Sequence, residues 1–394
     1  MRNLYEFKMD SLYIPFYYPL RAYDKISLKD SVFNFWPTAT IIVNDEGGKL
    51  TDKYFFIEGL KFDLTLGSKE GGYINNSYVW NDTSLEAMQM TEFVSGTAVL
   101  SLIHYLYNQD REKTGAFSSS VSDAVKNIMQ EDFGLSLLDL THVSTTTGKR
   151  VHYQMGKTNE DLIKNLCNCA YSQSYDTSPF LTFFNTLGEF YFMPIAEMFN
   201  QIPVGSYRFS TEAVKEADAV KGASIVCYGL NASKELYKQK IFKIGKDGIS
   251  VNELLEIKDY YNPIDKKHKL LISKDNISSD VSQTLNIGYI EEETEADFYS
   301  GVVNNVYTLL NLSYQMKIMV DYNPAAVSGK IVNLDVEAAS TDKAKGTEFS
   351  GKWLVIESEQ YLDRNEIAMT QLTIAKSAIP VDPSHPLYSD YITA

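Results

Sequence analysis

The sequence predicts an α+β fold that is predominantly β, strand-rich at both ends with a small helical module between. Runs of β-branched and aromatic residues bounded by Pro, Gly and Asn fill residues 20–110 and 316–376. Within residues 113–200 the period changes to the helical one, and two capping signatures mark where helices start. The chain also carries 27 Tyr and 20 Phe among 394 residues, an excess that suits half-buried strands and contact surfaces.

The elements follow in order. Residues 38–43 form a β-branched run between Pro37 and the turn NDEGG. The next strand alternates, with Leu60, Phe62, Leu64 and Leu66 on one face and Lys61, Asp63 and Thr65 on the other. Ser120 followed by Asp123 caps a helix whose stripe is Val121, Val125, Ile128 and Met129, and residues 144–149 read as a loop. Thr158 followed by Asp161 caps a second helix over residues 159–171, with Leu162, Ile163, Leu166, Cys169 and Ala170 on its apolar face. The runs FLTFF and EFYFM flank NTLG, whose glycine suits the positive-φ position of a hairpin loop.

Residues 223–229, 240–244 and 270–273 read as short strands of an additional β module. Val302, Val303, Val306, Leu309 and Leu310 predict a helix, followed by strands over 316–320, 329–336, 352–358 and 367–374. Pro380, Pro383 and Pro386 predict an extended tail.

A chain of this length exceeds the ~250 to 300 residues that one core sustains, so several domains are expected. The formal net charge of -15, from 36 Lys and Arg against 51 Asp and Glu, argues against phosphate-driven nucleic-acid binding. The basic cluster Lys266, Lys267, His268 and Lys269 reads as a solvated loop, and the acidic run 291–297 as support for the N-terminal end of the helix after it. The opening segment lacks a signal-peptide core, and no window reaches the ~18 apolar residues of a membrane span. The protein is therefore expected to be made in a cytoplasm.

Catalytic signatures are not visible. His104 sits in the apolar stretch LSLIHYLY and reads as a satisfied, partly buried side chain; His142 and His152 flank a loop, His268 lies in the charged stretch and His385 in the tail. Cys167 and Cys169, two apart on a helix, point to nearly opposite faces and cannot bridge each other. Paired acids such as Glu131 with Asp132 are common in an acidic chain and single out no glycosidase. Trp36, Trp80 and Trp353 read first as core residues and second as partner anchors. No catalytic, cofactor-binding or metal-ligating residue is therefore nominated.

The succession YSQSYDTSPFLTFFNTLGEFYFMPIAEMFNQ, preceded by VHYQMGKTNEDLIKNLCNCA, resembles the middle of the central baseplate hub proteins of tailed bacteriophages. The stretches LKDSVFNFWPTATIIVNDEGGKLTDKYFFIEGLKFDLTL and FSGKWLVIESEQYLDRNEIAMTQLTIAKSAIP are similar to the strands with which such hubs imitate the tail tube. The resemblance spans residues 26–200 and 298–380 and is weakest over 205–297. It implies a first tube-like β-barrel domain at 1–112 and an α+β module with the aromatic hairpin at 113–204. An additional β module at 205–297, a second tube-like domain at 298–380 and an extended tail at 381–394 would complete the chain.

It further implies a non-enzymatic homotrimer in the tail baseplate of a virion, assembled in the host cytoplasm, without cofactor or membrane anchor. One rim of the ring would accept the sixfold tail tube and the other a threefold spike, around an axial channel; its partners would be the tube protein, the central spike protein and other baseplate proteins. Two other readings stay open: a tail-associated cell-wall-degrading enzyme, and the hub half of a contractile injection or secretion spike.

Overall fold

Both helix starts are made by the side chains the capping signatures name. The Ser120 hydroxyl accepts the Asp123 N–H at 3.1 Å at the head of the helix Val121–Glu131. The Thr158 hydroxyl accepts the Asp161 N–H at 3.2 Å at the head of Asn159–Asn168. The second helix ends earlier than its predicted limit at residue 171.

The computed structural model describes residues 5–10, 15–16, 23–44, 61–68, 72–80, 97–148, 150–168, 170, 172, 174, 179–209, 219–227, 238–245, 248–262, 267–273, 283–286, 312, 314–336, 349–363 and 367–376. The predicted helix around Val302 to Leu310, the NDEGG turn beyond Asn44, the acidic run 291–297 and the proline tail lie outside these residues. The described fold is α+β and predominantly β.

Among the described residues thirteen strands make one large sheet. From one edge the order is Gly222–Cys227, Tyr314–Asp321, Ala368–Lys376, Gly351–Asp363, Tyr23–Ser31, Thr38–Asn44, Thr97–His104, Gly72–Trp80, Lys61–Ser68, Tyr5–Asp10 and Pro15–Phe16. Ile331–Val336 also pairs with Gly351–Asp363, and Gly205–Phe209 runs parallel to Ile331–Val336. The two strand-rich ends of the chain are thus zipped together where Tyr23–Ser31 pairs antiparallel with Gly351–Asp363, from Lys25 opposite Asp363 to Ser31 opposite Glu357. Both predicted strand-rich segments contribute to the same sheet.

The alternation read from the sequence holds where it can be seen. Phe62, Leu64 and Leu66 are fully buried, whereas Lys61 and Asp63 are exposed.

The predicted hairpin is Phe180–Phe184 with Phe190–Pro194, paired from Phe180 opposite Pro194 to Phe184 opposite Phe190, with Gly188 at φ +80° in its loop. His142–Val143 adds a short parallel strand. Every residue of both hairpin strands is buried, because the hairpin is packed on both faces. Phe180, Phe184, Phe190 and Phe192 join Leu162, Leu166, Val125 and Ile128 of the helices. Leu181, Phe183, Tyr191 and Met193 join Ile331, Leu354 and Ile356 of the large sheet. A third cluster, with Trp353, Val355, Ile318 and Leu372, fills the far side of the last strands.

Lys113–Ser119 and Arg150–Lys157 form a two-stranded ribbon that the sequence pattern does not announce. Four further strands, Lys238–Gly245, Gly248–Asn262, Lys267–Ser273 and Gln283–Asn286, form a separate sheet. Within the stretch 205–297 the change of sheet therefore falls between Cys227 and Lys238. Lys267, His268 and Lys269 belong to a strand, opposite Asn262, Tyr261 and Tyr260, and not to the expected loop. The run of Leu270, Leu271 and Ile272 carries the strand back through them.

Candidate functional site

The His104 ring stacks on Trp36 at 5.9 Å and on Phe184 at 5.3 Å, and Trp36 stacks on Phe184 at 5.1 Å. His104 is buried, more deeply than its sequence context implies, and its Nδ1 has no hydrogen-bond partner among the described residues. Burial, then the nearby Lys61 charge, lowers its pKa to about 4. It is a neutral aromatic plate in the core. The expectation that its ring nitrogens are satisfied fails at Nδ1, because Trp36, Phe184 and Tyr105 surround it with ring faces.

Trp36 and Trp353 are both core residues, Trp36 anchored by its Nε1 to Glu160 at 2.6 Å and Trp353 to the Phe349 carbonyl at 2.8 Å. The side chains of Trp80, His152 and His268 and all of His385 lie outside the described residues. Cys167 is buried, its thiol 3.1 Å from the Phe180 carbonyl oxygen. Among the described residues no three His, Cys, Asp or Glu side chains are grouped to hold a metal, and no helix is long and apolar enough to cross a membrane.

The conspicuous polar chemistry lies where the three sequence segments meet. Asp30, on the strand that joins the two halves of the sheet, is buried. Its Oδ2 accepts the backbone N–H and the hydroxyl of Thr186 in the hairpin loop, each at 2.7 Å. Its Oδ1 accepts the N–H of Ser328, before the strand Ile331–Val336, at 3.0 Å. One carboxylate thus fastens residues 156 and 298 positions away. Burial raises its pKa, while the bonds from Thr186 and Ser328 pull the other way. The Tyr78 hydroxyl, also buried, is held protonated by its burial and then by the charge of Asp30.

A second cluster caps the same hairpin. The Glu189 carboxylate accepts from Lys330 Nζ at 2.8 Å, from Asn185 Nδ2 at 2.7 Å and from the Tyr191 hydroxyl at 3.2 Å, with His142 Nε2 3.9 Å away. The His142 ring lies flat on Tyr191, 4.3 Å between centroids, and Lys330 approaches the same ring at 5.7 Å. Burial pushes the Glu189 pKa up, but His142, Lys330 and Asn185 outweigh it and hold the carboxyl at about 2. Gly329, between Ser328 and Lys330, has φ +85°, and a Cβ there would stand 2.7 Å from Phe183. Only glycine lets the chain pass the hairpin so closely.

On the opposite face of the same strand pair the sheet is polar. Glu359 accepts from Lys25 at 2.9 Å and Ser27 at 2.7 Å, with Lys29 at 3.7 Å, and Thr373 donates to Glu357 at 3.0 Å. A groove of about 270 Å³ runs here, lined among others by Lys29, Lys317, Glu357, Glu359 and Gln371. Acid and base alternate across it, giving a surface without strong charge of either sign. Asp30 and Lys330 escape sequence reading because their partners are remote in the chain, and Glu189 because Lys330 and His142 are. This arrangement ties three segments together and presents a grooved polar sheet face.

No protein-family model matches the chain, and no curated protein matches it. Among solved structures it is similar over its length to a tail protein from Neisseria meningitidis MC58, with 8% identity, a TM-score of 0.51 and coverage of 95% of this chain and 97% of that one. It is likewise similar to the 43 kDa tail protein of prophage MuSo2 from Shewanella oneidensis, with 13% identity, a TM-score of 0.54 and coverage of 95% and 98%. The chain has the fold of phage tail proteins.

Proposed function

We propose that the chain is a structural hub protein of a phage tail baseplate, acting through assembly rather than catalysis. Three copies close a ring that adapts the sixfold tail tube to a threefold central spike around an axial channel. Its partners are its own copies, the tube protein, the spike protein and other baseplate proteins. In this reading residues 1–112 and 298–380 supply the two tube-like domains, 113–204 the α+β module, 205–297 the additional β module and 381–394 an extended tail.

The observation that carries the reading is the end-to-end likeness to two tail proteins, with matching coverage of both chains. The frame fits it: Asp30 and Glu189 fasten the hairpin module to the sheet, and the sheet's polar face suits an assembly surface or channel wall. Two similar strand-rich portions per chain give six positions in a ring of three, so a sixfold tube and a threefold spike meet without unpaired surfaces.

Native mass spectrometry of the full chain at low micromolar concentration, followed by end-on electron microscopy, tests the reading. A trimer with approximate sixfold symmetry on one rim is expected; a stable monomer both free and in tails overturns it. A cell-wall-hydrolysis assay on the same preparation addresses the enzyme alternative, and turnover there would displace the structural reading.

A further inference from the structure

Exposed apolar side chains gather at two places in the helical module, and each place is built rather than loose. The first is the turn after the helix Val121–Glu131. Leu137 is 66% and Leu138 85% exposed, although the turn that carries them is pinned. Ser136 donates to Asp139 Oδ2 from its N–H at 2.8 Å and its hydroxyl at 2.7 Å, the Asp139 N–H returns to the Ser136 carbonyl at 3.0 Å, and Leu140 is buried beneath. Those bonds from Ser136 hold the Asp139 carboxyl below the usual range, so it is charged. Glu131, Asp132 and Asp139 surround the two leucines in sequence. The result is a fixed apolar knob with an acidic collar.

The second place is the ribbon. The pairs Val151 with Ser118, Tyr153 with Ala116 and Met155 with Thr114 alternate with Gln154 opposite Gly115 and His152 opposite Phe117. Gln154 is buried against Lys157 and Asn159, and Phe117 packs on the helical core, so their face is the inner one. The outer face presents Val151, 54% exposed, and Met155, 72% exposed, beside exposed Thr114, Ala116 and Ser118. The two strands include Lys113, Arg150 and Lys157 and not one Asp or Glu, in a chain with 51 acidic residues. Among the described residues the ribbon is covered on its inner face alone.

Knob and ribbon are complementary in both respects, apolar against apolar and acidic collar against basic rim. Their apolar parts are not spent on each other within one chain: Leu137, Leu138, Val151 and Met155 all stay exposed. Of the charges, Lys113 and Asp132 neutralise each other, which leaves Glu131 and Asp139 to face Lys157. We propose that the Leu137–Leu138 knob of one copy seats on the outer ribbon face, around Val151 and Met155, of a second copy of this chain. Each copy then offers one knob and one face, a head-to-tail contact of the kind that closes rings. A rigid knob loses little conformational freedom on docking, which concentrates the binding energy at these few side chains. The inference rests on the ring reading above and assigns one of its contacts.

The test uses the full chain and follows the concentration at which the oligomer half-dissociates, by native mass spectrometry and sedimentation. Leu138→Lys puts a like charge against the basic rim, and Met155→Lys puts one into the apolar face. Each should raise that concentration about tenfold or more, Leu138→Glu should raise it less, and the melting of the dissociated chain should not change since the sites are exposed. Chains carrying Leu138→Cys mixed with chains carrying Met155→Cys should form a disulfide between two copies under mild oxidation. An oligomer indifferent to Leu138→Lys and Met155→Lys overturns this contact and leaves the ring reading standing; a parent chain that is monomeric throughout overturns both.

Discussion

Thr186 reaches Asp30 twice: its backbone N–H and its hydroxyl both meet the same carboxylate oxygen at 2.7 Å. The loop of an aromatic hairpin is thereby tied to the strand on which the two ends of the chain join. Asp30→Ala leaves these two donors and the Ser328 N–H buried without their acceptor, each costing about 1–3 kcal/mol. A drop of several kcal/mol in urea unfolding is expected, with Thr186→Val losing less. A loss under ~1 kcal/mol for Asp30→Ala would mean that the junction is not a fastening point.

Gly329→Ala tests the close approach of the chain to the hairpin. Its φ of +85° and the 2.7 Å contact with Phe183 are both incompatible with a methyl group. We expect a loss of about 1–3 kcal/mol in thermal melts. Phe183→Leu in the same chain should recover part of it, and a neutral Gly329→Ala would refute the packing described.

The Glu189 cluster gives an acid-side signature. Its folded pKa, about 2, lies below the ordinary 4.5, so the stability it contributes is fully present above pH 4.5 and is lost as pH falls toward 2. Glu189→Gln should destabilise the chain at pH 7, and its difference from the parent should shrink between pH 4.5 and 2. Asp30 works in the opposite sense: its raised pKa means that its ionised form costs stability at neutral pH, a cost that fades on acidification. Urea unfolding at stepped pH separates the two, and a pH-independent difference for Glu189→Gln would exclude the ion-pair account.

His104 titrates in a different window. Its folded pKa of about 4 lies below the ordinary 6.5, so folding stability falls as pH drops from 6.5 toward 4, by as much as about 3 kcal/mol. His104→Phe keeps a ring against both Trp36 and Phe184 and removes the titration. The variant should match or exceed the parent at pH 7 and lose less below pH 6; equal acid sensitivity in both proteins would place the effect elsewhere.

Leu166, 2% exposed, faces the aromatic hairpin from the second helix. Leu166→Asp buries an unpaired charge and should cost several kcal/mol. A melting point within a degree or two of the parent would show the helix face to be misassigned.

Local chemistry was legible in the sequence and remote pairing was not. The Ser120–Asp123 and Thr158–Asp161 caps, the alternation of Phe62, Leu64 and Leu66, and the Gly188 loop all depend on neighbours within a few residues. The exposed ribbon Lys113–Ser119 with Arg150–Lys157 has no apolar alternation along its first strand, so nothing in the period announces it. The pairing of Gly205–Phe209 with Ile331–Val336 leaves no local trace, nor does the junction of Tyr23–Ser31 with Gly351–Asp363. For the same reason nothing in the local sequence marks Asp30. Its role exists only once Thr186 and Ser328 arrive.

The junction between Tyr23–Ser31 and Gly351–Asp363 also sets a timetable for biosynthesis. Strand pairs of such separation close late, after local hairpins and helices have formed. On the ribosome, Tyr23–Ser31 can pair with Thr38–Asn44 within moments, but its other edge must wait until residue 363 has emerged. Through nearly all of translation that edge is an open template, and neighbouring nascent chains on one message could pair with it wrongly. Completion of the last strands removes the hazard and finishes the frame in a single event, so a chain cut short before residue 351 never acquires the joined sheet.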